Sequence, residues 1–318
     1  MQYASIGWDW TAGFYPGSLW YLYNLTEEEY WKSLAEKYTE ALEKMQYNTS
    51  HHDVGFIIGC SYMNGIRMGG EEKYKPVVVQ AAKSLSTRFR PVAGVIQSWN
   101  TQKGWQSERG WKCPVIIDNM MNLELLFEAT RLSGDSTFYN IAVSHADKTL
   151  KNHFRKDGSS YHVVDYDPET GEVRSRSTAQ GYADESAWAR GQAWVIYGYT
   201  MCYRYTHNPA YLKQAERTYD FIFTHTNMPE DLVPYWDYDA LNIPNEPRDV
   251  SSAAITASAL YELSSATRYA GYKETADLIM ASLASSAYRA ELGDNQGFLL
   301  MHSVGSIPHG NEIDVPLN

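Results

Sequence analysis

The apolar residues of the chain recur with a helical period that breaks and restarts at short polar turns. Over residues 30–45, Tyr30, Leu34, Tyr38, Ala41, Leu42 and Met45 share one face among Glu and Lys, the pattern of a helix with one wet side. Over 114–130 and 253–266 the apolar residues cover more of the circumference, which predicts helices enclosed on most sides. The two kinds alternate. Five stretches join a helix end to a polar turn, an aromatic residue and a new helix: 25–30, 69–74, 133–138, 207–211 and 270–272. Glycine suits a left-handed C-cap, and the Asp, Asn, Ser or Thr that follows it can cap the next helix.

The aromatics of successive turns stand about 44 to 73 residues apart, the spacing of helical hairpins with inserted loops. The chain is therefore read as all-α, a single domain over 1–318 in which inner and outer helices alternate in an (α/α) toroid. Roughly ten helices are counted against the twelve that six pairs need. Long connections at 88–114, 154–185 and 227–251 precede the inner helices, and loops gathered on one rim usually carry function. Residues 160–176 alternate around Asp167-Pro168-Glu169-Thr170-Gly171, which predicts a β-hairpin on that rim.

Charge narrows the partners. The 318 residues carry 38 acidic and 27 basic side chains, a formal charge of -11, which repels nucleic acid and anionic membranes. An anionic small substrate then needs local cations. No run of about 18 apolar residues predicts a membrane span. Residues 1–7 lack the basic and apolar regions of a signal peptide, so a cytoplasmic site is expected, or a periplasmic one if a signal has been removed. Cys60, Cys113 and Cys202 are too few and scattered for a disulfide framework or zinc site and read as reduced core thiols. Ten Trp and 25 Tyr against nine Phe favour aromatics with a polar tip, which suit sugars as well as a large core.

The candidate chemistry sits in the long loops and at inner-helix starts. His51-His52-Asp53 precedes a helix over 54–67, Asp118 falls in the first turn of the next inner helix, and Asp184-Glu185 precede a third that carries Trp188, Arg190, Gln192 and Trp194. Carboxylates at neighbouring inner-helix starts are expected to point into one mouth, where mutual repulsion lets one hold a proton as general acid. An Asp at a helix start is more often a plain N-cap. Asp118 stands apart because Val115, Ile116, Ile117, Met120 and Met121 surround it in sequence, and a carboxyl there is expensive without a use or a partner. Adjacent histidines rarely converge on one ion, so no metal is expected at His51-His52. Arg190 needs an anion, either a structural Asp such as Asp184 or a substrate carboxylate. His162 reads equally as a loop residue or a functional one, and Trp10, Trp99, Trp188 and Trp194 as core or site.

Seven segments together resemble the unsaturated glucuronyl hydrolases, glycoside hydrolase family 88: Trp8-Asp9-Trp10-Thr11-Ala12-Gly13-Phe14, His51-His52-Asp53-Val54-Gly55-Phe56, Gly94-Val95-Ile96-Gln97-Ser98-Trp99, Ile116-Ile117-Asp118, Ser160-Tyr161-His162, Thr178-Ala179-Gln180-Gly181 and Trp188-Ala189-Arg190-Gly191-Gln192-Ala193-Trp194. They span nearly the whole chain in the family's order. The resemblance implies an (α/α)6 toroid, against which this chain lacks the first outer and last inner helix and is expected to be trimmed at both ends. It implies Asp118 as general acid/base and Asp53 as the second essential carboxylate. It also implies Trp10, Trp99, His162, Gln180, Trp188, Arg190 and Trp194 as substrate contacts, with no cofactor or metal. The implied reaction hydrates the C4=C5 double bond of an unsaturated uronic acid at the non-reducing end of lyase-generated, glycosaminoglycan-type oligosaccharides. Two alternatives stay open: an unsaturated rhamnogalacturonyl hydrolase acting on pectin fragments, and a non-catalytic sugar-binding toroid. The tail over 302–310 falls where some members recognise sulfate and offers Ser303, Ser306 and His309 without a Lys. Sequence leaves the oligomeric state open.

Overall fold

The computed structural model describes residues 9–317, so Trp8 and the segment read for a signal lie outside the described residues. The helices are α1 (Phe14–Thr26), α2 (Glu29–Glu40), α3 (Val54–Ile58), α4 (Asn64–Gly69), α5 (Lys75–Ser86), α6 (Trp105–Glu108), α7 (Leu123–Ser133), α8 (Ser136–Asn152), α9 (Ala189–Thr206), α10 (Pro209–Thr224), α11 (Val250–Thr267) and α12 (Ala270–Leu283). A π-turn at Gly59–Met63 joins α3 to α4, so 54–69 is one helix. The chain groups into two compact units. One holds the described residues up to Val115 with Met121–Lys148 and Tyr166–Glu172; the other holds Ile116–Met120, Thr149–Asp165 and the chain from Val173 onward. Among the described residues no helix is long and apolar enough to cross a membrane.

The hairpins of the sequence pattern are present, and one local device closes them. The residue after each first helix is left-handed: Glu27 (φ 58°), Gly70 (70°), Gly134 (76°), His207 (54°) and Arg268 (60°). Glycine was expected there, but only two of the five are Gly. Four of the turns share a hydroxyl instead. Thr26, Ser133, Thr206 and Thr267 each donate to the carbonyl four residues back and accept the N–H two residues ahead, at 2.6–2.8 and 3.2–3.3 Å. The hydroxyl satisfies the helix end that a glycine-based cap would otherwise have to satisfy alone. Asp135 and Asn208 then cap α8 and α10 by accepting from Thr137 and Ala210 N–H.

Within the first unit α1 packs on α2, and α5 on α7. Gly55 lets α3 approach Asn122, because a Cβ there would stand 2.4 Å from Asn122 Oδ1. Within the second, α9 packs on α10 and α11, and α11 on α12. Helix α9 is buried from Ala189 through Ile196 and again over most of its next turn and a half, whereas α10 buries one stripe of Tyr211, Gln214, Ala215, Thr218 and Ile222. The expected contrast between enclosed and one-sided helices holds here. Helix α9 also meets the Ile117–Asn122 turn, where a Cβ on Gly198 would fall 2.5 Å from Met120 Cβ.

Among the described residues seven short strands complete the elements: β1 (Phe89–Arg90), β2 (Val95–Ile96), β3 (Cys113–Ile116), β4 (Val163–Tyr166), β5 (Val173–Ser177), β6 (Leu300–Ser303) and β7 (Val315–Leu317). Strands β1 and β2 pair antiparallel, as do β6 and β7. Strands β4 and β5 are neighbours across the expected Asp167–Gly171 turn, in which Asp167 Oδ1 accepts from Glu169 and Thr170 N–H. One expected helix is corrected. Residues 114–130 do not form a helix throughout: β3 and a 3-10 turn over Ile117–Asn122 come first, and α7 starts at Leu123. The run Cys113-Pro114-Val115-Ile116-Ile117 is rich in β-branched residues, and a short apolar run has no period that separates strand from buried helix.

Candidate active site

Asp53, in the first unit, occupies the N-cap position of α3, yet its side chain makes no capping bond. Its carboxylate faces two imidazoles instead. His52 Nε2 lies 3.2 Å from Oδ1 and His51 Nδ1 lies 3.2 Å from Oδ2. The proton position of His52 follows from the partner behind its ring. Asn122 Oδ1 accepts Phe56 N–H at 2.9 Å, so its amide nitrogen is the group that faces His52 Nδ1 at 3.3 Å. That leaves the His52 proton on Nε2, the nitrogen nearer Asp53. Asn48 braces the other ring: its oxygen takes the Ser50 N–H and hydroxyl and its nitrogen faces His51 Nε2 at 2.7 Å, while His51 Nδ1 accepts the Asp53 N–H at 3.1 Å. Burial pushes the Asp53 carboxyl up, but His52, His51 and Arg88 outweigh it and hold it below the usual carboxylate range. Asp53 is a fixed anion.

Trp10 closes edge-on against Phe14 and Phe56, with centroids 5.5 and 5.3 Å apart. Its turn starts at Asp9, whose Oδ1 accepts Thr11 N–H. Trp99 follows Ser98, whose carbonyl accepts the N–H of His52 at 3.2 Å. Two more rings join it: Trp111 stacks on it at 5.9 Å and Trp105 meets it edge-on at 5.1 Å.

Asp118, in the second unit, sits on the 3-10 turn rather than in an α-helix. Its side chain is 13% exposed, and its neighbours Ile116, Ile117 and Met120 are buried. Oδ2 stands 3.8 Å from Nε2 of His162, while the His162 carbonyl accepts Ile117 N–H at 2.9 Å. The other side of the ring is fixed. His162 Nδ1 accepts the backbone N–H groups of Ala179 (3.1 Å) and Gln180 (3.2 Å). Two donors on Nδ1 assign the ring proton to Nε2, facing Asp118. A second proton would have to sit on Nδ1, against those donors, so the neutral ring is the form the loop accepts. Asp118 therefore has a neutral donor as neighbour where Asp53 has an array that favours charge.

The remaining expected contacts lie in the second unit with Asp118 and His162. Trp188, 2% exposed, packs on His162 at 4.5 Å and beneath the Arg190 guanidinium at 4.6 Å. Gln192 brackets Ser160, accepting its N–H at 2.8 Å and donating to its carbonyl at 3.2 Å, which fixes the approach to His162. Trp194 is buried at 5% exposure, edge-on to Tyr197. Arg190 has an anion, but it is not Asp184, which accepts from Thr178 N–H instead. Arg190 Nη1 meets Asp249 Oδ2 and Ser251 Oγ at 3.3 Å and donates to the Val304 carbonyl, while Nη2 donates to Gly305 at 2.9 Å. Gln180 Nε2 donates to the same Gly305 carbonyl at 3.1 Å.

Sequence reasoning missed Asp249, which is fully buried and organises this corner. Its Oδ1 accepts from Ser251 N–H and hydroxyl and from Ser303 Oγ, tying α11 to the end of β6. The signal was present as an Asp two residues before a Ser at a helix start, and it reads as an ordinary N-cap. It also missed Asn122, and Asp237, whose oxygens accept from Tyr182 N–H, Ser186 Oγ and Asp239 N–H and so hold the loop that carries Ala179 and Gln180. Among the described residues no group of three His, Cys, Asp or Glu side chains is arranged to hold a metal ion.

The sequence pattern described as Glycosyl Hydrolase Family 88 matches residues 2–291. An unsaturated glucuronyl hydrolase of Formosa agariphila is 47% identical over 311 residues, which are 97% of this chain and 76% of the relative. A solved unsaturated glucuronyl hydrolase specific for heparin superposes with a TM-score of 0.92 at 44% identity, over 97% of this chain and 82% of that one. A solved UGL variant with dGlcA-Glc-Rha-Glc superposes with a TM-score of 0.89 at 31% identity, over 98% of this chain and 84% of that one.

Proposed function

The chain belongs to glycosyl hydrolase family 88, and from that premise we propose that it removes a 4,5-unsaturated uronic acid from the non-reducing end of oligosaccharides left by polysaccharide lyases. The substrate is an enol ether whose C5 carries a carboxylate. Asp118 gives its proton to C4, and positive charge develops on C5 and the ring oxygen. Water then adds at C5, and its proton passes to the Asp118 carboxylate, which restores the acid. The C5 hemiketal opens to a ketone, the ring oxygen leaves C5 with the electrons and becomes a hydroxyl on C1, and that hemiacetal collapses to an aldehyde and releases the next sugar. No displacement takes place at C1, so the spacing rule for paired carboxylates in retaining and inverting enzymes has no application.

The observation that supports this reading is the pairing of Asp118 with a histidine whose tautomer two backbone N–H groups dictate. A neutral N–H 3.8 Å from the carboxyl does not force it to ionise, which suits a group that must give a proton and take one back. Asp53 keeps a negative charge throughout; the family resemblance supports its place in the same reaction, and an anion stabilises an oxocarbenium-like charge. Trp10 and Trp99 are the rings assigned to the sugar. Arg190 and Gln180 act through the Val304–Gly305 carbonyls they hold.

The test is direct. The full chain is mixed with a lyase-generated unsaturated disaccharide and the ultraviolet absorbance of the conjugated double bond is followed. Decay with release of the second sugar is the expected result. Binding without decay identifies a sugar-binding protein and ends the proposal.

A further inference from the structure

We infer that Trp105, Trp111 and Arg109 form, with Trp99, a ledge that binds the third and later sugars of the substrate and prefers them anionic. The inference rests on the proposed function and extends it to chain length and charge. Its basis is the segment Thr101-Gln102-Lys103-Gly104-Trp105-Gln106-Ser107-Glu108-Arg109-Gly110-Trp111-Lys112, which the reaction does not use. Trp105 meets Trp99 and Trp111 edge-on at 5.1 and 5.9 Å, and Trp99 stacks with Trp111 at 5.9 Å. Trp99 and Trp105 are both partly exposed. Arg109 is exposed and lies 5.9 Å from the Trp105 centroid and 5.5 Å from that of Trp111, which is buried and backs the other two rings.

Charge identifies the occupant. The chain carries -11 overall, yet this segment has Lys103, Arg109 and Lys112 against Glu108 alone. Lys112 is engaged by Asp167 at 2.7 Å. Among the described residues no carboxylate pairs with Lys103 or Arg109; both are exposed, and Arg109 stands beside the partly exposed Trp105. Pyranose rings offer C–H faces to an indole, and sulfate or carboxylate groups on them offer an acceptor to a guanidinium. The ledge is also continuous with the site: Gln97 Nε2 holds the Trp99 carbonyl at 2.8 Å, and Ser98 holds the backbone of His52 beside Asp53.

Initial rates of the full chain on an unsaturated disaccharide and the matching tetrasaccharide, each with and without sulfate, test the ledge. The wild type is expected to show a KM for the sulfated tetrasaccharide about tenfold below that for the disaccharide, with similar kcat. Trp105→Ala erases that advantage, Trp105→Phe keeps most of it, and Arg109→Gln erases the part that depends on sulfate and weakens with added salt. No chain-length preference in the wild type, or equal changes on disaccharide and tetrasaccharide in the variants, overturns the inference. If the wild type hydrolyses no unsaturated sugar, the functional reading fails separately. Equilibrium binding of a saturated sulfated tetrasaccharide then decides the ledge: weaker binding by Arg109→Gln upholds it and equal binding refutes it.

Discussion

The Nε2 of His162 stands 3.8 Å from Oδ2 of Asp118, and the backbones of the two segments are joined by the Ile117 N–H on the His162 carbonyl. One side chain thus meets its partner across a register that the main chain has already fixed. The loop at Ala179 and Gln180 settles the remaining freedom, the position of the ring proton.

Asp118→Asn keeps the shape and a hydrogen-bonding group but has no proton to give to carbon. Its kcat is expected to fall by about 10³-fold or more, within the range of general acid–base catalysis, with the melting temperature nearly unchanged. Absorbance decay and a thermal melt measure the two quantities. Full activity in this variant ends the assignment.

Removal of the His162 donor should appear in the pH profile as well as the rate. The Nε2–H dipole, 3.8 Å from Oδ2 and too far for a hydrogen bond, favours the charged form of Asp118, so its loss makes that carboxyl harder to ionise. In His162→Ala the limb of kcat/KM above which the acid has lost its proton moves to higher pH, and the maximal rate drops about 10- to 100-fold through lost orientation. A profile that keeps its position while the rate falls assigns His162 to packing alone.

Asp53 predicts a stability change on the acid side. Its folded pKa is depressed, so its contribution is fully present above the unfolded value near 3.9 and is lost as pH falls through the lower folded value. Asp53→Asn removes that contribution at neutral pH, and its unfolding free energy converges on the wild type's as acid is added. Urea melts across pH 2 to about 7 show the convergence; two parallel curves exclude it.

Asp249→Ala leaves the Arg190 guanidinium buried without its anion, an arrangement that costs about 3–5 kcal/mol. Asp249→Asn keeps an acceptor for Ser251 N–H and should cost less. Denaturant titration orders the two variants, and a harmless Asp249→Ala means that Val304 and Gly305 carbonyls suffice for Arg190.

Arg268 adopts φ 60° at the end of α11, where a side chain with a Cβ is disfavoured by about 1 kcal/mol. Arg268→Gly should be neutral or stabilising by about 0.5 kcal/mol once the greater freedom of unfolded glycine is counted. Thr267→Val at the same turn should destabilise by about 1 kcal/mol through the loss of both hydroxyl bonds. A melt of each variant reads the opposite signs.

The hairpin pattern belonged to the sequence. Helical period, polar turns and the alternation of enclosed and one-sided helices are local properties, set by which faces must leave water, and α9 with α10 or α11 with α12 follow them. Asp53 and Asp118 could be named as candidates from their places at helix starts, and Asp118 stood apart because a carboxyl amid aliphatics is costly enough to need a reason. The run 113–117 was not legible, since a short apolar stretch satisfies strand and helix alike until its neighbours choose. Nor was the anion of Arg190: Asp184 is near in sequence, and Asp249 is near only after α11 has packed on α9. The ring proton of His162 depends on backbone groups 17 and 18 residues away. A sequence records which groups can donate and accept; only tertiary packing, which strips water from them, decides which ones must face each other.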